Sequence, residues 1–148
     1  MNKYLLRTAL PSDMDAILAL QLAVFAGEQK IPAEDVPLSD HLNPQWWCAE
    51  FCGQLAAAVA AWEEDGVMHW GRFAVQPHLR GRHIGTALAR RSLEDLFRSG
   101  TKVIHLTARE STVRIFQKLG GTVTGEPMPF FEGTVTPLTL YKNDYIPE

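Results

Sequence analysis

The chain has 148 residues, of which 46% are hydrophobic and 21% charged, and its formal net charge is −3 at pH 7. These values are typical of a globular protein, and the length suffices for a core, so we predict a single domain over residues 1–148. Mild acidity without a basic stripe argues against a nucleic-acid-binding surface. No apolar run is long enough to cross a membrane, and residues 1–7 are too short and charged for a signal peptide, which predicts a cytoplasmic protein.

The two cysteines and five histidines do not have the spacing of a metal site, so we predict no bound metal. On a shared strand, Cys48 and Cys52 would lie about 13 Å apart, which is too far for a disulfide. We expect both thiols to be buried packing residues.

Hydrophobic periodicity divides the N-terminal half into a strand, a helix, a long loop and three more strands. The first strand is predicted at residues 4–9, and a helix with one apolar face follows, with Ser12 as its N-cap. Residues 27–44 are rich in proline and acidic residues, which predicts a loop. An antiparallel meander is predicted from strands at 46–51, 55–62 and 67–75, with turns at Gly53-Gln54 and Asp65-Gly66.

The C-terminal half begins with a glycine-containing loop and an amphipathic helix that ends at Gly100. A short apolar strand at 103–107 follows, and this connection predicts a parallel crossover to the preceding strand. A short helix is predicted to start at residue 111 or 112 and to stop at Gly120-Gly121. Strands are expected at 122–124 and 137–142, and exposed edge strands at this end favour a homodimer.

The loop between residues 75 and 86 carries the strongest functional signal, because it leads from a strand directly into a helix. The first amides of a helix have no partner within the helix, and together with the helix dipole they bind phosphate groups. Gly81 and Gly85 allow a ligand to approach the backbone closely, and Arg80 and Arg82 add positive charge. The loop therefore predicts a diphosphate site.

Two common phosphate-binding motifs are excluded by their spacing. A P-loop requires a lysine directly after its last glycine, and none follows Gly85. A Rossmann fingerprint requires Gly-x-Gly-x-x-Gly, and that pattern is absent.

The loop instead resembles the coenzyme A pyrophosphate loop of the GNAT superfamily, the acyl-CoA-dependent N-acetyltransferases. That loop usually reads Gln/Arg-x-x-Gly-x-Gly/Ala; here Arg80 and Gly85 match, and His83 stands at the middle glycine. Residues 115–121, Ile-Phe-Gln-Lys-Leu-Gly-Gly, resemble the family's Phe-Tyr-Glu-Lys-Leu-Gly-Phe. Residues 24–29, Val-Phe-Ala-Gly-Glu-Gln, resemble the Val-Phe-x-x-Glu-Gln segment of one bacterial branch.

The resemblance implies an α/β (α+β) fold with a mixed, mostly antiparallel sheet of about six to seven strands. About four helices would flank this sheet, which would splay apart after the fourth strand. Acetyl-CoA is implied as the co-substrate. Its pantetheine arm would lie along residues 73–75 and its pyrophosphate on residues 80–86. Arg109 and Phe116 would border the pantetheine and thioester from the other side of the split sheet. The expected cofactor-binding residues are Phe73, Ala74, Val75, Arg80, Gly81, Arg82, His83, Ile84, Gly85, Thr86, Arg109 and Phe116.

The activity implied by the resemblance is direct transfer of an acetyl group from acetyl-CoA to an amine of a small molecule or peptide. The family's usual acid is a tyrosine at the position of Phe116, and a phenylalanine has no proton to donate. Because general acid catalysis typically contributes about 10²–10⁴-fold, we predict a slower or differently assisted enzyme. Glu28 is the best candidate for the base, although it could equally be a solvent-facing carboxylate. Weaker candidates are Glu63, Glu64 and His69.

Two alternatives stay open at the level of the sequence. The first is an acyl-CoA-binding sensor or partner module with impaired catalysis, suggested by Phe116 and by Thr136, which replaces a turn histidine of the bacterial branch. The second is a structural α/β protein whose loop binds some other anion. The acceptor amine is not specified, and the tryptophans either wall its pocket or belong to the core. These are Trp46, Trp47, Trp62 and Trp70.

Overall fold

The structure, a computed structural model, describes residues 4–147. In this range the strands are β1 (Tyr4–Thr8), β2 (Gln45–Phe51), β3 (Gln54–Glu64), β4 (Val67–Val75), β5 (Val103–Ala108), β6 (Thr122–Val123), β7 (Met128–Pro129) and β8 (Thr134–Tyr141). Their order is β1-β2-β3-β4-β5-β8-β6, with β7 paired to β8. Every neighbouring pair is antiparallel except β4 and β5. The predicted mixed, mostly antiparallel sheet is confirmed, and β6 and β7, of two residues each, bring the strand count above the expected six to seven.

Helical segments flank this sheet as predicted. They are α1 (Met14–Gln21), a π-helix that continues it (Leu22–Glu28), α2 (Ile84–Arg98) and α3 (Glu110–Lys118). The π-helix covers the start of the predicted loop at 27–44, because its wider turns continue through Gly27 to a bond from Gln29 N to Val24 O of 3.1 Å. None of the helices within residues 4–147 combines the length and the hydropathy needed to cross a bilayer.

The N-cap position of α1 is occupied by Asp13, and the prediction of Ser12 as its N-cap is wrong. Ser12 lies inside a short 3₁₀ turn, whereas the Asp13 carboxylate accepts the Leu10 N–H at 2.7 Å and two Arg7 bonds at 2.7 and 3.0 Å. Arg7 also donates to Glu50 at 3.1 Å, which ties β1 to both α1 and β2. The Arg7 guanidinium, helped by the Leu10 amide, holds the pKa of Asp13 at about 2.

We expect Asp13→Asn to lower the free energy of unfolding by about 1–2 kcal/mol at neutral pH, because the charged bonds to Arg7 are lost. The folded pKa is depressed, so the carboxylate stabilises fully above its unfolded value of about 4 and loses that effect as pH falls toward about 2. Urea unfolding of both proteins at about pH 7 and about pH 3 measures this difference. A gap that does not shrink at the lower pH would contradict the assigned bonds.

The alanine-rich β3 is buried on both faces and lets helices pack closely on each side. On one face, Ala58 belongs to the same buried cluster as Ile17 and Leu20 of α1. On the other, Val59 clusters with Leu88 of α2 and with residues of α3. Small side chains on this strand therefore bring α1 and α2 close to opposite sides of the same part of the sheet.

The sheet splits between β4 and β5, as predicted for the fourth strand. Their parallel pairing is limited to Met68 with Ile104 and His69 with His105, whereas β5 pairs with β8 along its whole length. Farther along β4, the register against β3 shifts by one residue, since Ala58 faces Ala74 but Ala60 faces Gly71. This bulge leaves two β4 residues, 72 and 73, opposite one β3 residue, and bulges of this kind redirect side chains beside functional sites.

Three local predictions differ from the structure: the turn of the first hairpin, the burial of Cys52 and the start of the last strand. The first hairpin turns at Cys52-Gly53, whose φ values of 53° and 80° suit a tight turn, so Cys52 is exposed and only Cys48 is buried. The last strand begins at Thr134, three residues before Pro137. Pro137 fits inside the strand because it pairs with Thr107 while its carbonyl accepts the Thr124 N–H at 3.0 Å.

Candidate functional site

A cleft of about 970 Å³ opens where β4 and β5 separate. Its walls come from the π-helix, the end of β4, the loop before α2, the start of α3 and the segment around residues 130–135. Most of the residues predicted for the site line this cleft. They are Glu28, Phe73, Ala74, Val75, Arg80, Gly81, His83, Ile84, Gly85, Thr86 and Arg109.

One end of the cleft is formed by the backbone at the start of α2. The amides of residues 83–86 donate no hydrogen bond to any residue in the described range, and the first helical bond here is from Ala87 N to His83 O, at 3.1 Å. The partial positive charge of the helix N-terminus adds to these free donors. This arrangement is suited to binding a phosphate group.

Two positions in the loop that carries these amides take the left-handed backbone conformation. Gly81 has a φ of 82°, and His83, at the middle glycine of the family motif, has a φ of 64° as the N-cap of α2. Gly85 has ordinary helical geometry but little space, since a Cβ there would lie 3.0 Å from the Phe73 ring and 3.1 Å from a Val75 methyl. The absence of a side chain at Gly85 therefore lets α2 approach β4 closely.

Arg80 and Glu28 form an ion pair across the cleft. The guanidinium donates to both carboxylate oxygens, at 3.1 and 2.7 Å, and its Nε donates to the Val75 carbonyl at 3.2 Å. Both side chains are more than 40% exposed. The structure thus brings the predicted base into contact with the predicted phosphate-binding arginine, a contact for which the sequence pattern contains no signal.

Two predicted residues, Arg82 and Phe116, lie outside the cleft lining. Arg82 points away from the loop and stacks on the Phe51 ring at 5.4 Å. Phe116 is fully buried and packs edge-on against Trp70, with ring centroids 4.6 Å apart. The α3 residues that do line the cleft are Ser111, Thr112 and Ile115.

Because Phe116 is buried, we expect Phe116→Tyr to give no gain in acetyl transfer. The added hydroxyl would enter apolar surroundings without a partner and lower the free energy of unfolding by about 1–3 kcal/mol. Thermal unfolding and a thiol-release assay on the same preparation measure both effects. A rate gain of tenfold or more would show instead that the hydroxyl reaches the cleft.

The weaker candidates for the base lie away from the cleft. Glu63 and Glu64 end β3 at a turn, and His69 stacks on Trp62 with ring centroids 5.8 Å apart. Trp47 is a core residue, and Trp70 alone of the four tryptophans contributes to the cleft wall in the described residues.

Arg72 is a cleft residue that is not among the predicted ones. It lies in the β4 bulge with a φ of 57°, its carbonyl accepts the Gln21 amide at 2.8 Å, and its Nε donates to the Val36 carbonyl at 2.8 Å. Left-handed backbone is uncommon for a residue with a side chain and marks positions held by their surroundings. The only signal in the sequence is a charged residue after Gly71 within an otherwise apolar strand.

Arg109 lies on the opposite lip, just after β5. Its Nε donates to Gln29 Oε1 at 2.9 Å, its Nη1 donates to the Phe130 carbonyl at 3.0 Å, and its Nη2 is buried without an acceptor in the described range. A Cβ on Gly133 would lie 2.8 Å from Nη1, so a side chain at this position would displace the Arg109 guanidinium.

A second groove of about 390 Å³ adjoins the cleft at the start of α2. It shares His83 and Thr86 with the cleft and adds three cationic side chains that the sequence interpretation did not include. These are Arg90, Arg114 and Lys118. Of these, Arg114 pairs with Glu110 at 3.3 Å, and Arg90 has a buried Nε without an acceptor among the described residues.

Comparison with solved structures identifies the fold. A putative N-acetyltransferase from Lactobacillus plantarum is 19% identical with a TM-score of 0.81, covering 95% of this chain and 99% of that chain. Escherichia coli ElaA is 22% identical with a TM-score of 0.77, covering 94% and 99%. The putative acetyltransferase yncA from Salmonella typhimurium, solved with its cofactor acetyl-CoA, is 20% identical with a TM-score of 0.75, covering 99% of both chains.

A search of curated protein sequences finds no match. A family model, described as the acetyltransferase (GNAT) family, matches residues 14–120, which is well over half of the chain. This range contains the π-helix, the split between β4 and β5, the loop before α2 and most of the cleft wall. The chain therefore belongs to the GNAT acetyltransferase family, whose enzymes use acetyl-CoA as co-substrate, as the sequence predicted.

Proposed function

We propose that this protein transfers the acetyl group of acetyl-CoA to the amine of a small molecule or peptide within a ternary complex. The observation that carries this proposal is the set of free amides at residues 83–86, placed at the end of a cleft beside Arg80. They match a diphosphate, because phosphate oxygens accept several backbone N–H bonds at a helix N-terminus. The adjoining cationic groove supports the same assignment, since coenzyme A carries a further phosphate on its ribose.

The cleft-facing edge of β4 suits the pantetheine arm. Beyond His69 this edge has no strand partner in the described range, and two of the β4 carbonyls there accept side-chain bonds instead, that of Arg72 from Gln21 and that of Val75 from Arg80. We assign residues 73–75 to this role, and a backbone amide near Val75 would polarise the thioester carbonyl as negative charge develops on its oxygen. The amine nitrogen then bonds to the acetyl carbon, the carbon–sulfur bond breaks, and the sulfur leaves as a thiolate or takes a proton.

Glu28 is our candidate for the base that removes the proton from the amine. In the structure its carboxylate is occupied by Arg80, and a bound diphosphate would compete with Glu28 for that guanidinium. Cofactor binding would then free Glu28 on the acceptor side of the cleft. In this scheme the base becomes available only after the acetyl donor is in place.

The second candidate function is an acyl-CoA-binding module with impaired catalysis. It is favoured by one observation, the complete burial of Phe116 at the position of the family's usual acid. The residues that line the cleft within the described range include no tyrosine, cysteine or lysine that could protonate the thiolate.

Two measurements separate these functions. Calorimetric titration with acetyl-CoA tests the cofactor site, and a free-thiol assay over a panel of amines tests transfer. Binding with thiol release that depends on the amine supports the enzyme, whereas binding without release over the whole panel supports the module. No binding at millimolar acetyl-CoA would refute both.

A further inference from the structure

Arg72 presents a free guanidinium edge to the cleft. Its Nε is held by the Val36 carbonyl and its own carbonyl by Gln21, so the side chain and the backbone are both fixed. Nη1 and Nη2 donate to no residue in the described range, and no carboxylate in that range lies within 4.0 Å of them. These two groups form the planar fork that binds a carboxylate through two parallel bonds.

Arg109 brings a second positive charge to the same part of the cleft. Met68 of β4 pairs with Ile104 of β5. Arg72 lies four residues after Met68 on one lip, and the residue before Arg109 lies four residues after Ile104 on the other lip. Within residues 4–147 the Arg109 guanidinium is bonded only to neutral oxygens, those of Gln29 and Phe130. Burial lowers the pKa of both arginines, and no acidic neighbour opposes this effect.

The part of the cleft beside Arg72 and Arg109 therefore carries positive charge. In the described range the acidic residues of the cleft are Glu28 and Asp35, and without cofactor Glu28 is paired with Arg80. Neither Arg72 nor Arg109 forms an ion pair with these carboxylates in the described range, so both guanidinium charges stay open to an anionic group even when a bound diphosphate releases Glu28 from Arg80. A partly buried charge without a counter-charge raises the free energy of the ligand-free protein, and a ligand with an anionic group would offset that increase.

We propose that the acceptor is an amine that also bears a carboxylate, and that Arg72 binds this carboxylate through Nη1 and Nη2. Arg109 strengthens the interaction from the opposite lip. This proposal rests on the acetyl transfer proposed above and names the class of its acceptor. A singly charged carboxylate suits the site better than a dianionic phosphate, because Asp35 shares the cleft. Apolar side chains nearby favour an amino-acid-like molecule with an apolar body; they include Phe25, Ile31, Phe130 and Phe131.

The experiment compares kcat/KM for matched amines with and without a carboxylate, and it includes one phosphorylated amine. L-phenylalanine is tested against phenethylamine and phenylalaninamide, and L-leucine against isoamylamine, with phosphoethanolamine as the phosphate arm. We expect the carboxylate to raise kcat/KM by about 10- to 100-fold, the usual value of a bidentate charged bond. Phenylalaninamide is a stringent comparison, because its amine has the lower pKa and a larger neutral fraction.

Three variants assign the preference to its residue. Arg72→Gln should reduce the carboxylate preference to near 1, and Arg72→Lys should restore part of it, since the charge remains but the fork is lost. Arg98→Gln is the matched control, because the Arg98 side chain is 72% exposed and, among the residues that the structure describes, pairs only with Asp95. Acetyl-CoA affinity of each variant, measured by calorimetry, shows whether the cofactor site is intact.

The outcomes are distinct from those that test the transfer itself. Equal kcat/KM for amines with and without a carboxylate, or a preference for the phosphorylated amine, overturns the assigned acceptor class while acetyl transfer stands. A preference that survives Arg72→Gln, or an Arg72→Gln variant that loses acetyl-CoA affinity instead, overturns the role of Arg72. If no amine gives thiol release, the proposed acetyl transfer itself is refuted, and the acceptor class fails with it.

Discussion

The substitution Gly85→Asp is expected to weaken acetyl-CoA binding by about 10²-fold or more. The new Cβ would lie about 3 Å from the side chains of Phe73 and Val75, so these side chains would have to move by a few tenths of an ångström. The added carboxylate would also face a ligand diphosphate among the free amides of residues 83–86, and two like charges within a few ångströms cost several kcal/mol in a partly buried site. Calorimetric titration of both proteins with acetyl-CoA measures the loss.

Two controls make this result specific. Thr124→Asp adds the same charge at an exposed position outside the cleft lining, and its acetyl-CoA affinity should match that of the wild type. Thermal unfolding without ligand checks that Gly85→Asp remains folded, and Gly85→Ala separates the effect of volume from that of charge. Unchanged affinity in folded Gly85→Asp would show that the cofactor does not approach the start of α2.

The fold could be predicted in large part because local signals and long-range pairing agree. The Asp65-Gly66 turn, with φ values of 54° and 77°, and the strand after it appear in the structure at the predicted residues. The π-helix could not be predicted, because its extra residue per turn depends on tertiary contacts and not on a sequence period. The start of β8 was equally hidden, since Pro137 is paired through its carbonyl and needs no N–H there.

Within the site, the positions of backbone groups were easier to predict than those of side chains. Glycines at a strand-to-helix junction constrain the backbone, so the order of residues along the chain was enough to predict the loop before α2 as a cleft wall, with Arg82 as the exception. Side chains depend on contacts between distant segments. Phe116 faces Trp70 inside the core, and Arg72 reaches Val36 and the cleft only because a bulge shifts β4 by one residue. No pattern in the sequence specifies that shift.

Glu28→Gln should change cofactor affinity and turnover in opposite directions. Without the ionised carboxylate, Arg80 is available to the diphosphate from the start, and loss of an exposed ion pair of this kind changes affinity by about 0.2–1 kcal/mol. We therefore expect acetyl-CoA to bind about 1.4- to fivefold more tightly. If Glu28 is the base, kcat should fall by about 10²–10⁴-fold.

The opposite signs distinguish a base from a residue with a structural role, because a merely structural loss would weaken binding and turnover together. Glu64→Gln serves as the matched control, since it converts an exposed carboxylate outside the cleft to an amide and should leave both quantities unchanged. Arg80→Gln completes the comparison: it should weaken acetyl-CoA binding, and combining it with Glu28→Gln should remove the gain in affinity. A kcat for Glu28→Gln within threefold of the wild type would exclude Glu28 as the base, and Asp35, the other acidic residue of the cleft in the described range, would then be the next candidate.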